Sequence, residues 1–125
     1  MHTSIIPVVL AASWLVAGCG ASFPPPTANL AQAQSATRSA IELGADRQPN
    51  AQLHVALSRE LMSQATIAMN SGDNERADGL INRAKSDAEL AIALMRDSTA
   101  KTGAANATEQ SNKQQIVNIN QGAAQ

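Results

Sequence analysis

The stretch ADGLINRAKSDAELAIALM, residues 77–95, decides the fold of this chain. Apolar residues recur in it at alternating intervals of four and three. They are Ala77, Ile81, Ala84, Ala88, Ala91 and Met95. This spacing is the heptad rhythm of a helix that packs along one face. Most of these side chains are small, so neighbouring helices can approach closely. We therefore predict an all-α fold, either an antiparallel helical hairpin or a small three-helix bundle.

Two more helices are predicted on the N-terminal side of this stretch. The central helix should run over residues 74–99, and Ser71-Gly72-Asp73 before it forms a turn in which Gly72 ends one helix and Asp73 caps the next. The helix before the turn is predicted over residues 51–70. Its expected buried stripe is Leu53, Leu57, Leu61, Ala65, Ala68 and Met69. Helices joined so briefly should lie antiparallel.

The first helix is predicted over residues 29–43, with Gly44 in the left-handed conformation that ends it. Residues 46–50 form a connector, in which Pro49 cannot continue the first helix and Asn50 can cap the second. The inward side chains of the first helix are expected to be Leu30, Ala33, Thr37, Ala40 and Ile41. Residues 29–100 then make one helical domain.

The segment from Leu90 to Met95 is apolar on every side of its helix. A helix of this kind must be covered all round. One interpretation is that the helix is central and touches both others. The alternative is that its outer flank, Leu90 and Leu94, contacts a second copy of the chain or another protein.

Residues 101–125 are rich in Asn, Gln, Thr, Ala and Gly, and their only apolar cluster is Ile116, Val117 and Ile119. Such a composition buries little apolar surface. We expect a disordered tail or a frayed extension of the third helix.

The N-terminus has the pattern of an export signal. The apolar run from Ile5 to Ala17 has the length of a signal-peptide core, about 7 to 15 residues, and is shorter than the roughly 18 residues that span a bilayer. It closes on Leu15-Val16-Ala17-Gly18-Cys19, which resembles the lipobox of bacterial lipoproteins. The alternative is that Cys19 is an ordinary buried residue.

The lipobox resemblance implies cleavage between Gly18 and Cys19, diacylglycerol on the Cys19 thiol and an acylated amino terminus. Residues 1–18 would be the lipoprotein signal peptide. Residue 20 is Gly and not Asp, which in similar lipoproteins implies sorting to the outer membrane, facing the periplasm, over retention in the inner membrane. Several acyl chains together give stable anchoring, so the chain would be held at the membrane through Cys19.

Residues 19–28 are predicted to be the acylated cysteine and a tether. Pro24, Pro25 and Pro26 favour polyproline II, a semi-rigid spacer. A binding site for a proline-recognising module is the alternative function of this run.

Composition excludes several function classes. Aromatic residues are only 2% of the 125 residues, and the 9 basic and 10 acidic residues are interspersed, so neither a basic stripe nor an aromatic platform for nucleic acid exists. His54 has no Cys or carboxylate at metal-ligand spacing, and a structural or surface role is expected for it. Glycine-rich phosphate loops and serine elbows are also missing from the sequence. We predict a non-enzymatic protein with no cofactor and no metal.

Residues 24–102 resemble the bacterial lipoprotein domain known as domain of unknown function 4398. The resemblance lies in the Ala-rich first helix, Pro49, the Ser71-Gly72-Asp73 turn and above all Ala84-Lys85-Ser86-Asp87-Ala88-Glu89-Leu90-Ala91. An aromatic residue often follows the turn in this family, where this chain has Asn74. The resemblance implies a helical envelope protein and no assigned activity.

The sequence therefore predicts a helical structural or interaction module of the bacterial envelope. Its partners are expected to be the membrane, an envelope protein or peptidoglycan-associated partner, or a second copy. The alternative is a small membrane-active or stress-induced lipoprotein, which the mixed charge of the helices disfavours.

Overall fold

The computed structural model describes residues 23–123. This part of the chain forms three α-helices and one 3₁₀ turn. They are α1 (Thr27–Glu42), the 3₁₀ turn Ala45–Arg47, α2 (Pro49–Asn70) and α3 (Asn74–Gly122). The prediction of an all-α, three-helix fold is confirmed. The signal peptide, the Gly18–Cys19 cleavage point and the acylated Cys19 lie outside the described residues.

The third helix is the centre of the bundle. It packs extensively against α2 and also against α1, whereas α1 and α2 touch each other less. The predicted seam faces inward, with Ala77, Ile81, Ala84, Ala88 and Ala91 at 0% exposure. Met95 is partly buried at the end of the seam. Because alanine is small and non-branched, the three helix backbones can lie close together along this line.

The core consists of two apolar clusters along the bundle axis. The first contains Ala33, Ala65, Ala68, Ala77, Ile81 and Ala84, flanked by Leu30, Leu61, Met62, Met69 and Leu80. The second contains Ala40, Ala45, Ala51, Val55 and Ala91, flanked by Ile41, Ile92, Leu94 and Met95. All five inward residues predicted for α1 contribute to the interior. A core of such small residues buries little area per residue, so its stability depends on close contact.

A polar contact lies between the two clusters. The hydroxyls of Thr37 and Ser58 are 2.8 Å apart, and both side chains are buried. Thr37 Oγ1 donates to the carbonyl oxygen of Ala33 at 2.8 Å, which leaves Ser58 as the donor to Thr37. This bond joins α1 to α2 and satisfies both hydroxyls in the interior.

The predicted stripe of α2 is wrong at its N-terminal half. Leu53 is 57% exposed and Leu57 is 41% exposed, while α2 turns Ala51, Val55 and Ser58 inward. The physical reason is the close approach of the helices: the smaller side chains fit between the backbones, and the leucines lie at the flanks. Ala65 and Ala68 are buried as predicted.

The turns of the bundle follow from single residues. Gly44 has φ 89° directly after α1, and Gly72 has φ 80° directly after α2, as predicted. The N–H groups of Gly72 and Asp73 bond to the carbonyls of Met69 and Ala68, which closes α2 with a Schellman motif. The Asp73 carboxylate accepts from the Arg76 N–H at 3.3 Å and caps α3, again as predicted.

The start of α2 differs from the prediction. Asn50 does not cap the helix, because Pro49 already occupies its first turn and Gln48 is the N-cap in extended conformation. A proline fits the first helical position, since its fixed φ is helical and its missing N–H needs no partner there. Proline also forces the residue before it into extended backbone, which places the boundary at Gln48.

The predicted disordered tail is corrected as well. Residues 101–122 continue α3 as one uninterrupted helix, the second of the two alternatives. Side-chain bonds at a spacing of four support this segment locally: Lys101 pairs with Asp97 at 2.7 Å and Lys113 with Glu109 at 2.6 Å. Each such pair stabilises a helix by only a few tenths of a kcal/mol.

Candidate interaction surfaces

The two leucines predicted for partner contact have different environments. Leu90 is 44% exposed on the outside of α3. Leu94 is half-buried and packs against the second apolar cluster. The structure thus assigns Leu94 mainly to the core and leaves Leu90 as the open position of the pair. On α2, Leu53 and Leu57 are also exposed, and the sequence pattern had placed both inside.

A contact between α2 and α3 gives His54 a structural role. Its Nδ1 lies 2.8 Å from Oδ1 of Asp87, and the two side chains are 23% and 22% exposed. An ionised carboxylate only accepts, so Nδ1 carries the hydrogen. The contact thus joins α3 to a residue on α2 that is 33 positions away in the chain.

We predict that this contact contributes measurably to stability. His54→Ala and Asp87→Asn should each lower the free energy of unfolding by about 1 kcal/mol, because each change leaves a partly buried polar group unpaired. The double variant should cost less than the sum of the two, as chemical denaturation would show. Glu89→Gln is the matched control, since its carboxylate lies 3.9 Å from Lys85 at an exposed position. Additive effects of the two single changes would contradict the coupling.

The end of the predicted tether is fixed to the bundle. Pro26 is buried at the N-terminus of α1, and the Asn74 side-chain amide donates to the carbonyl oxygen of Phe23 at 2.8 Å. Asn29 donates to Asp78 at 2.6 Å and ties α1 to α3 beside it. The tether therefore ends before Thr27 and not at residue 28. Asn74, the departure from the family pattern, is the residue that holds the incoming chain at this corner.

The C-terminal part of α3 is not covered by any other part of the described chain. Every residue from Thr99 to Ala123 is exposed. Where this segment leaves the bundle, an open cleft of about 280 Å³ lies between the start of α2 and α3. Gln48 crosses beside it and donates to the Ser98 hydroxyl at 2.9 Å. The cleft thus lies directly beside the exposed part of α3.

Residues 23–123 contain neither a cluster of metal-binding side chains nor a membrane-spanning helix. Within residues 23–123, no three or more His, Cys, Asp or Glu side chains converge on a point where they could hold a metal ion. No helix of that same range combines the length and the hydropathy that a bilayer crossing needs.

The comparison with known families decides the affiliation of the chain. The sequence profile of the domain of unknown function (DUF4398) matches residues 28–107. The chain belongs to this family. The DUF4398 match covers α1, α2 and the bundled part of α3, and it ends inside the exposed part of α3. No curated protein and no solved structure matches the chain.

The DUF4398 region contains the features that sequence reasoning identified, namely the turn at Gly72 and the seam of α3. It also contains the features that the reasoning missed. The contact between His54 and Asp87 joins residues far apart in the chain, and no local signal indicates it. The open position of Leu57 could have been inferred from the small residues at 51, 55 and 58, which form an alternative inward face.

Proposed function

We propose that this chain is a lipid-anchored interaction module of the bacterial envelope, attached through Cys19 to the outer membrane and facing the periplasm. The lipobox pattern at residues 15–19 supports the anchor. Phe23, the first described residue, is held at the bundle by Asn74. Three residues lie between Phe23 and Cys19, so their Cα atoms can be at most about 14 Å apart and the lipid would lie near this end of the bundle.

A single observation carries the interaction role. The third helix has 49 residues, which is about 73 Å of helix, and its second half, from Thr99, is exposed on every side. A helix that serves only to fold a small bundle would end with the bundle. The surplus length fits a module that presents a helix to a partner at the end farthest from the anchor.

The role is proposed to be non-catalytic. The interior consists of alanine and a few larger aliphatic residues, and its buried polar side chains, Thr37 and Ser58, bond to each other. The Asp73 carboxylate caps a helix and the Asp87 carboxylate contacts His54. These groups have structural partners that account for them. The mixed charge of the helices also gives little support to the alternative of a membrane-active lipoprotein.

Crosslinking in cells tests the interaction role. A photoreactive amino acid at Leu90, or at Val117 in the exposed part of α3, should capture a protein that mass spectrometry identifies as an envelope component or as a second copy of the chain. The same amino acid at Gln34, exposed on α1, is the control position. Equal capture at both positions, or none at Leu90 together with none along the exposed part of α3, would contradict the role.

A further inference from the structure

The exposed part of α3 needs a partner on physical grounds. Isolated helices shorter than about 15 residues are marginal in water even when they are rich in alanine. The segment after Thr99 is longer but contains poor helix formers throughout, among them Gly103, Asn106, Thr108 and Asn112. Tertiary contacts stabilise the bundled part of the helix, and contacts of the same kind would stabilise this part.

The heptad spacing of the inward seam of α3 continues into this segment in the same register. The alternation of four and three that ends at Met95 proceeds through Ser98, Thr102, Ala105, Glu109, Asn112, Ile116 and Ile119. In the bundle, the same line faces α1 and α2, and beyond Thr102 it is open. The open line is therefore a continuation of an interface that the molecule already uses.

The sizes of the side chains along this open line favour a second copy of the chain as its partner. Small residues come first, at Thr102 and Ala105, and large ones come last, at Ile116 and Ile119. A second copy running antiparallel places Ile116 opposite Ala105 and Ile119 opposite Thr102. Large side chains then meet small ones at each level, which is the arrangement that fills a helix interface.

Polar residues at the middle of the line fit the same arrangement. Glu109 and Asn112 fall opposite each other in the antiparallel pair, so each Asn112 amide can donate to a carboxylate of the other copy. A polar residue at a seam position is known to fix the register of paired helices at a cost in stability.

The shape of the molecule also favours antiparallel pairing. Two parallel copies would bring α1 and α2 of both bundles into the same space, whereas antiparallel copies hold the bundles at opposite ends.

We propose that residues 98–122 of two copies pair as antiparallel helices along this line. The end of each helix then reaches the cleft of the other copy, whose lining includes Leu94, Ser98 and Thr102. The inference deepens the proposed interaction role by naming a second copy as the partner, and it does not depend on the lipid anchor. Residues 108–122, which include the large side chains of the line, lie outside the DUF4398 match.

Disulfide trapping in cells tests both the contact and its direction. Full-length chains with Ala105→Cys and with Ile116→Cys, each with its own tag, are expressed together, and a membrane-permeant thiol oxidant is added to the cells, so that trapping does not require export to an oxidising compartment. Antiparallel pairing should give mixed adducts in at least about tenfold excess over adducts of either variant with itself, because only opposed positions come within disulfide range. The wild-type chain expressed alone measures the background of adducts that form through Cys19 in any copies that are not acylated. The matched control is Ala107→Cys with Gln114→Cys, which lie at the same level on the outer face.

A second variant tests whether the adducts arise from random collision between chains and not from specific pairing. Ile116→Asn with Ile119→Asn, placed in both chains beside Glu109→Cys in one chain and Asn112→Cys in the other, should reduce the adduct of this opposed pair at least about fivefold while the bundle, which these residues do not touch, stays folded. Dominant adducts of a variant with itself would show parallel pairing and overturn the proposal. A yield no higher than the control pair, or adducts only with another protein, would also overturn it. Capture of an envelope protein from Leu90 in the same cells would then leave the proposed function standing by itself.

Discussion

Replacing Cys19 by alanine should release the protein from the membrane fraction or leave it as an unprocessed precursor. In the proposed anchoring, the Cys19 thiol accepts diacylglycerol and the signal peptide is cleaved directly before this residue. Each buried methylene of an acyl chain contributes about 0.8 kcal/mol to membrane binding, so the loss of several chains removes the anchor altogether. Fractionation and immunoblotting measure the distribution, and the mass of the mature N-terminus reports the acylation.

Ser22→Ala is the control for this experiment, because it is a similar change in the tether outside the lipobox. It should remain in the membrane fraction with a normally processed N-terminus. A Cys19→Ala protein that is cleaved after Gly18 and remains in the same fraction as wild type would overturn the anchoring proposal.

Enlarging the centre of the α3 seam should have the largest effect on stability. Ala84 has 0% exposure and packs in the first cluster with Ala33, Ala65 and Ile81. Leucine at this position adds three carbons to a fully buried site. Overpacking of this kind costs about 1 to 3 kcal/mol, and we expect the upper end, because Ala33 and Ala65 on the facing helices leave no room for a larger side chain at 0% exposure. The melting temperature should fall by more than about 10 °C in thermal unfolding followed by circular dichroism.

Ala93→Leu provides the matched comparison on the same helix. Ala93 is exposed, and leucine and alanine have similar helix propensities, so this change should alter the unfolding free energy by less than about 0.5 kcal/mol. The difference between the two variants isolates the packing of the seam. Equal melting temperatures for both would show that the three helices do not pack along the alanine line.

Local signals gave reliable predictions in this chain. The backbone at Gly44 and Gly72 requires a positive φ, which glycine adopts without steric cost, and Asp73 can cap a helix through its own neighbours. The boundary at Pro49 was missed by two residues, since a proline at the first helical position starts a helix as readily as it ends one.

The tail shows where composition misleads. Its polar residues favoured disorder, yet the helix continues to Gly122, and the heptad line that runs through it to Ile119 is visible in the printed sequence. The heptad spacing continued from the bundled part of α3 carried information there that the composition did not.

The sequence by itself determined the all-α class, the glycine turns and the inward face of α3, because each depends on backbone preferences or on one strong period, whereas it left a hairpin and a three-helix bundle both open. Only the tertiary structure decided that α2 turns Ser58 inward and Leu57 outward. It also decided that Leu94 is partly buried while Leu90 is exposed. The contact between His54 and Asp87 is a third such outcome. These outcomes depend on the distance between helices. That distance is set jointly by small residues on three separate segments, and no single segment encodes it.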